Sequence, residues 1–287
     1  MTSPDQPATP APPMQSVPTP SRAGRNLPAA IASGVVLGAA IIVSLLFWKA
    51  AFMVIVVAAV LVAIWELGQA FATGDIRLTR EPLWVGGAVM VLTAYVFGAP
   101  SLVTATAVTV LACMLWRLRG GIYGYVRDVT ATAFTAFYVP FLGGFVALML
   151  AEPLGERAVI TFIVVTIASD IGGYAVGVVA GKHPMAPVIS PKKSWEGFAG
   201  SAVSCVVAGW LLVVFLLEGD WWVGALLGLI AVVTATLGDL CESVIKRDLG
   251  IKDMSQIVPG HGGLMDRLDS LLATAAPTWL LLHYLVF

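Results

Sequence analysis

The segment Asp239-Leu-Cys-Glu-Ser-Val-Ile-Lys-Arg-Asp-Leu-Gly-Ile-Lys-Asp-Met-Ser-Gln-Ile-Val-Pro-Gly-His-Gly-Gly-Leu-Met-Asp-Arg-Leu-Asp269 separates two apolar runs. It holds six acids (Asp239, Glu242, Asp248, Asp253, Asp266, Asp269), four bases (Lys246, Arg247, Lys252, Arg267) and His261. The whole chain of 287 residues has only 16 basic and 17 acidic side chains. An otherwise oily protein has gathered its polar chemistry in one short stretch.

Composition explains why that stretch stands out. The chain is 59% hydrophobic and 11% charged, with a mean hydropathy of +0.91. Soluble domains carry roughly 25% charged residues. Repeated long apolar runs are the mark of membrane-spanning helices. The expectation is an all-α polytopic membrane protein. Cys113, Cys205 and Cys241 lie in or beside apolar runs without paired spacing, so packing is the expected role, not a disulfide or a zinc site.

Residues 1–26 contain seven prolines with Ser, Thr and Gln. Such a segment buries too little surface to offset its ordering entropy and reads as a disordered cytoplasmic tail, not a cleaved signal. Nine apolar spans follow, at about 27–48, 50–72, 83–98, 101–116, 129–151, 157–181, 196–218, 221–240 and 263–287. The third and fourth, joined by Gly98-Ala99-Pro100-Ser101, read as a tight hairpin. Residues 27–151 form an N-terminal group of helices, and 152–287 hold the chemistry.

With the N-terminus inside and the C-terminus outside, 14 basic residues face the cytoplasm and only Lys49 and Arg157 face out. This asymmetry is what the positive-inside rule requires. The charged loops 182–195 and 241–262 then both face the cytoplasm, in a multi-pass protein of the plasma membrane.

Three features point to chemistry. Asp170 interrupts span six, and an acid inside an apolar span normally faces the protein interior or a wet cavity. Gly173, Gly177 and Gly181 on the same span permit close approach of another helix. Ser190-Pro-Lys-Lys-Ser-Trp-Glu-Gly197 opens span seven, with Ser190 or Ser194 as the helix cap and Lys192 and Lys193 beside it. Lysines at a helix N-terminus suit phosphate, although the same pair would serve as anchors near anionic lipid.

Asp239, Glu242, Ser243, Lys246 and Arg247 fall at i, i+3, i+4, i+7 and i+8, one stripe of a helix that runs on past span eight. A solvated face with internal ion pairs would look similar. The restart tells against it: Pro259-Gly-His-Gly-Gly263 leads into Asp266 and Asp269, which share a face, and the glycines permit close approach of backbone N–H groups to an anion. Carboxylates clustered with phosphate-binding groups fit Mg²⁺-dependent phosphoryl or nucleotidyl transfer, since Mg²⁺ takes oxygen ligands and zinc spacing is absent.

At this point the residues resemble a family. Ser243-Val-Ile-Lys246-Arg247-x4-Lys252-Asp253-x-Ser255-x3-Pro259-x-His261-Gly262-Gly263-x2-Asp266-Arg267-Leu268-Asp269 is similar to the signature of the phosphatidate cytidylyltransferases, with Val258 where Leu, Ile or Phe is usual. Ser169-Asp170 and the 190–197 motif also look like family features, while residues up to about 120 match only as generic spans. The resemblance implies transfer of CMP from CTP to phosphatidic acid, giving CDP-diacylglycerol and pyrophosphate.

On that basis Asp239 and Asp266 are the leading metal ligands, with Asp269 and Asp170 behind them, for Mg²⁺ that a monovalent cation can accompany. Ser190, Lys192, Lys193 and Ser194 are assigned to substrate phosphate. Ser243, Asp253, Gly262 and Gly263 are expected to line the substrates. Lys246, Arg247, Lys252 and Arg267 share the countercharge. His261 contacts phosphate or organises the glycine turn, and His183 and His283 are incidental. A homodimer through glycine-rich span faces would match the family, and nucleic acid is not an expected partner.

Competing readings are a CTP-dependent lipid-alcohol kinase, whose hydroxyl acceptor would need a base, a cation transporter using Asp170, and a membrane scaffold without turnover. The Asp-Gly-x2-Ala-Arg motif of CDP-alcohol phosphotransferases is absent.

Overall fold

The fold was obtained as a computed structural model that describes residues 27–257 and 262–287. The predicted tail at 1–26 and His261 lie outside the described residues.

Each apolar run forms helix. The elements are α1 (Leu27–Phe47), α2 (Lys49–Thr73), α3 (Arg80–Phe97), α4 (Ala99–Arg117), α5 (Tyr125–Ala136), α6 (Leu142–Ala151), α7 (Gly155–Ala180), α8 (Trp195–Phe215), α9 (Trp221–Asp248) and α10 (Met265–Leu285). Lipid offers the backbone no hydrogen-bond partners, so a chain this apolar satisfies its amides within helices. Six helical segments among the described residues are long and apolar enough to cross a membrane: Lys49–Thr73, Ala99–Gly120, Tyr125–Ala151, Gly155–Ala180, Trp195–Phe215 and Trp221–Asp248. The chain is therefore an all-α multi-pass membrane protein by length and composition. Large apolar side chains such as Val179 and Val178 stand exposed, as a lipid-facing surface requires.

Among the described residues a small antiparallel hairpin, β1 (Pro184–Ala186) and β2 (Ser190–Ser194), joins α7 to α8. The α3–α4 hairpin forms as expected. Gly98, at φ +78°, is its only linking residue, and Ser101 Oγ donates to Thr93 O across it at 2.7 Å. Between α5 and α6, Phe137–Phe141 widens into a π-helical turn around Pro140, which has no N–H to give to the preceding turn.

Charged helix ends pair in two separate groups. Lys49 meets Glu156 at 2.7 Å, Arg157 meets Glu218 at 3.5 Å, and Glu152 meets His283 at 2.7 Å. At the opposite ends Arg117 meets Asp128 at 2.9 Å, Arg127 meets Asp75 at 3.5 Å, and Lys193 meets Asp239 at 2.6 Å. Every one of these pairs joins ends that a helix-by-helix alternation places on the same face. His283 is thus not incidental, because it also stacks on Trp279 with ring centroids 4.9 Å apart.

Glycines set how closely the C-terminal helices approach. A Cβ at Gly177 would lie 3.7 Å from Gly197 Cα, and one at Gly200 would lie 2.7 Å from Gly172 O, so α7 and α8 pack almost backbone to backbone. A Cβ at Gly228 would stand 2.5 Å from both Cys205 O and Val206 Cα, which does the same for α8 and α9. These glycine faces pack inside the chain, while Gly38 on α1 has open space beside it. Cys113 and Cys205 are buried free thiols, as packing predicts, while Cys241 is exposed.

Gly228→Leu should lower the thermal midpoint in detergent, because overpacking against immovable backbone costs about 1–3 kcal/mol. Leu229→Ala, at a position 51% exposed toward lipid, should leave it nearly unchanged. Equal midpoints for the two variants would contradict this packing.

Candidate active site

α9 has 28 residues and is about 42 Å long at 1.5 Å per residue, longer than the roughly 30 Å hydrocarbon core. Its last turns therefore carry the predicted stripe beyond the apolar run. Ser243 Oγ donates to Asp239 Oδ1 at 3.2 Å, one turn away. Lys246 Nζ donates to Glu242 Oε2 at 2.8 Å and reaches across to Asp266 Oδ1 on α10 at 2.7 Å. That lysine is the joint between the two helices.

The hairpin brings the other basic groups. Ser194, not Ser190, caps α8: its Oγ accepts from Gly197 N at 3.1 Å, while Ser190 opens strand β2. Glu196 in the first turn of α8 folds back and accepts from Lys182 N at 3.1 Å and His183 N at 3.2 Å, with His183 Nδ1 at 2.5 Å from its other oxygen. His183 therefore helps to close the hairpin and is not incidental. Arg247 Nε donates to Ile189 O at 3.4 Å and ties the tip to the end of α9.

Held in this way, Lys193 Nζ sits 2.6 Å from Asp239 Oδ2. A cavity of about 310 Å³ opens between α7, α8, α9 and the hairpin, lined by Asp170, Ser190, Lys192, Lys193, Ser194 and Asp239. Asp170 faces this space, as an acid in an apolar span should. An adjoining groove of about 410 Å³ continues along α7 past Val178 and Gly181, sharing Gly173, Tyr174, Gly177, Lys192, Lys193 and Ser194 with the cavity.

The start of α10 departs from expectation. Its free N–H groups were expected to face a substrate anion, but protein carboxylates take them. Asp266 Oδ2 accepts from Gly263 N at 2.9 Å and from Met254 N at 3.0 Å. Glu66 of α2, with no exposed surface, accepts from Leu264 N at 2.9 Å, from Met265 N at 2.6 Å and from Ser255 Oγ. Gly262 keeps a role in shape, at φ +89°, where other residues are strained.

Glu66 is the residue that sequence reasoning missed. The signal was present, since Glu66 is an acid within an apolar span, the same criterion that picked out Asp170. Asp128, just ahead of the fifth apolar span, gave no such signal. It is buried and accepts from Arg117 Nε and from Arg77 N, both at 3.0 Å, locking the loops on this face. Tyr138 in the π-turn is also buried; its hydroxyl has no partner and lies within electrostatic reach of Glu242, Asp269 and Asp239.

Of the predicted metal ligands, Asp239 and Asp266 lie on adjacent helices, each holding a lysine. Asp269 is buried and lies within electrostatic reach of Asp239, Glu242 and Asp170. No three His, Cys, Asp or Glu side chains among the described residues converge in a ready-made cage. The donor set still fits a hard cation. It is all oxygen, Glu242 and Asp269 lie against each other as two buried carboxylates, and lysine ammonium groups occupy cationic positions on Asp239 and Asp266. Arg267 is exposed near Asp170, and Lys252 and Asp253 are exposed on the loop before α10.

The sequence profile of the cytidylyltransferase family matches residues 28–285. The chain is 44% identical over 278 residues to the phosphatidate cytidylyltransferase of Mycobacterium bovis, covering 92% of this chain and 91% of that protein. The Mycobacterium leprae protein of the same name is 42% identical over 287 residues, covering 94% and 92%. That of Helicobacter pylori is 35% identical over 164 residues, covering 57% and 61%.

Glu196→Gln should loosen the hairpin and speed tryptic cleavage after Lys182, Lys192 and Lys193 several-fold in the folded, detergent-solubilised protein. An unchanged cleavage rate would show that the clasp does not hold the hairpin.

Proposed function

The chain belongs to the cytidylyltransferase family, and from that premise we propose that it transfers CMP from CTP to phosphatidic acid in phospholipid biosynthesis. The products are CDP-diacylglycerol and pyrophosphate. The observation that carries this function is Lys193, which contacts Asp239 and borders both the cavity and the adjoining groove.

A phosphate oxygen of the lipid attacks the α-phosphorus of CTP, and the bond from that phosphorus to the bridging oxygen of pyrophosphate breaks. The attacking group needs no activated serine or cysteine. Phosphomonoesters lose their second proton near pH 6, so the lipid phosphate is already ionised. What the protein supplies is proximity and countercharge for two anions. Lys192, Lys193, Ser190 and Ser194 hold phosphate at the cavity mouth, where the nucleotide in the cavity meets the lipid in the groove. Exposed Val178 on the groove wall suits an acyl chain. Lys246 holds the ends of α9 and α10 together, and Arg247, Lys252 and Arg267 add charge around them.

Asp239 and Asp266 would hold Mg²⁺, with Asp269 and Asp170 nearby and room in the same acidic set for a monovalent cation. When bound, the ion supplies neutralisation of phosphate charge and alignment of the attacking and leaving oxygens. Ser243 orients Asp239, while Asp253 and Gly262 border the loop leading into α10.

The proposed arrangement has nine crossings, α1, α2, α3, α4, α5–α6 together, α7, α8, α9 and α10, with the N-terminus and the site in the cytoplasm and the C-terminus outside the plasma membrane. The 14-to-2 division of basic residues supports that orientation. The proposed assembly is a homodimer through glycine-rich span faces, for which α1 keeps Gly38 with open space beside it.

Asp239→Asn and Asp266→Asn should each abolish Mg²⁺-dependent CDP-diacylglycerol formation in folded protein, and Lys193→Ala should chiefly raise KM. Full turnover in both aspartate variants would remove them from the site. In a cysteine-free background, an impermeant maleimide should label Glu218→Cys in intact cells and Asp75→Cys only after the membrane is opened; the reverse pattern would invert the orientation.

A further inference from the structure

We infer that Glu66 is a positioning residue for this reaction: it takes up the free N–H groups at the start of α10 and so leaves Asp266 turned toward Lys246. The inference rests on Asp266 belonging to the metal and nucleotide site.

The first turn of a helix presents unpaired N–H groups at its positive end, and any nearby carboxylate competes for them. Two carboxylates are within reach of α10, and they divide the donors. Glu66 takes Leu264 N and Met265 N. Asp266 takes only Gly263 N, together with Met254 N from the preceding loop, and uses Oδ2 for both. Its Oδ1 is left for Lys246 at 2.7 Å. One oxygen fixes the side chain to the backbone and the other points at the chemistry.

Glu66 can do this because it comes from outside the segment. It stands on α2, 198 positions away from Leu264 in sequence, and is fully enclosed. From there it also holds Ser255, two residues after Asp253 on the loop that follows α9. The N-terminal half of the chain thereby sets the geometry of a site whose other residues lie in the C-terminal half. An amide at this position has a single acceptor oxygen, and its N–H₂ hydrogens oppose the donors around it. With Glu66→Gln the N–H groups of Leu264 and Met265 lose part of their acceptor, and Asp266 is the nearest replacement. Turning to cap them, it gives up Lys246. Side chains that orient metal ligands typically change metal affinity by about 10–100-fold when altered.

The test compares full-length Glu66→Gln, Ser255→Ala, Asp128→Asn and Asp266→Asn with the parent in detergent. Two quantities are measured: the Mg²⁺ concentration that half-saturates turnover, and the rise in thermal midpoint caused by Mg²⁺ alone, without CTP or lipid. Glu66→Gln should need at least about tenfold more Mg²⁺ and lose most of the Mg²⁺-induced rise. Ser255→Ala should move both in the same direction by a smaller factor. Asp128→Asn, an equally buried acid tied to Arg117, should melt lower but keep the parent's Mg²⁺ dependence. A Glu66→Gln protein that melts lower with parental Mg²⁺ dependence would make Glu66 a structural cap only and overturn the inference. Should that variant not fold, parental Mg²⁺ dependence in Ser255→Ala would overturn it instead. Asp266→Asn with a parental Mg²⁺ response would remove the metal reading itself, a result distinct from failure at Glu66, and the inference would fall with it.

Discussion

Glu66, Glu242, Asp266 and Asp269 meet at one end of a bundle of apolar helices, and the arrangement holds only because positive groups are placed among them. A buried carboxylate without a partner is costly, and several together repel one another. Lys246 answers two of them by bridging Glu242 on α9 and Asp266 on α10. The positive end of α10 answers Glu66 and the second oxygen of Asp266. Asp269 lies against Glu242, so the two form a close buried pair of carboxylates. An acidic cluster that is only partly neutralised by its own protein is suited to taking up a further cation.

Close helix packing places this cluster beside the β1–β2 hairpin. Gly172, Gly177, Gly197 and Gly200 let α7 and α8 approach within backbone contact, and Gly224 and Gly228 do the same for α8 and α9. That proximity puts Asp170 on α7 and Asp239 on α9 around one cavity, with Ser194 capping α8 between them. Larger side chains along these seams would separate the carboxylates from the hairpin lysines. The seams are therefore part of the site, although no glycine in them touches a charge.

The helices were legible because hydropathy dominates in a bilayer, where backbone groups must be satisfied locally. The polar stripe on α9 followed from spacing alone, and so did the Asp266–Asp269 face. What the sequence did not disclose depends on contacts between distant segments. The choice of Ser194 over Ser190 as the cap follows from the hairpin, which Glu196 closes by gripping Lys182 and His183. Gly263 reads as an open anion donor until Asp266 is seen to accept from it. Glu66 was discernible as an acid in an apolar run, but its partners lie almost 200 residues later and no local pattern connects them.

In the proposed mechanism the ends of α9 and α10 and the β1–β2 hairpin form one site for a divalent cation between nucleotide and lipid phosphates. A crystal structure with Mn²⁺ and a non-hydrolysable CTP analogue, with the ion located by anomalous scattering, tests this most directly. A manganese peak is predicted among Asp239, Asp266 and Asp269, with analogue phosphates against Lys192 and Lys193. An ion bound elsewhere, or a nucleotide held away from both helix ends, would contradict the account.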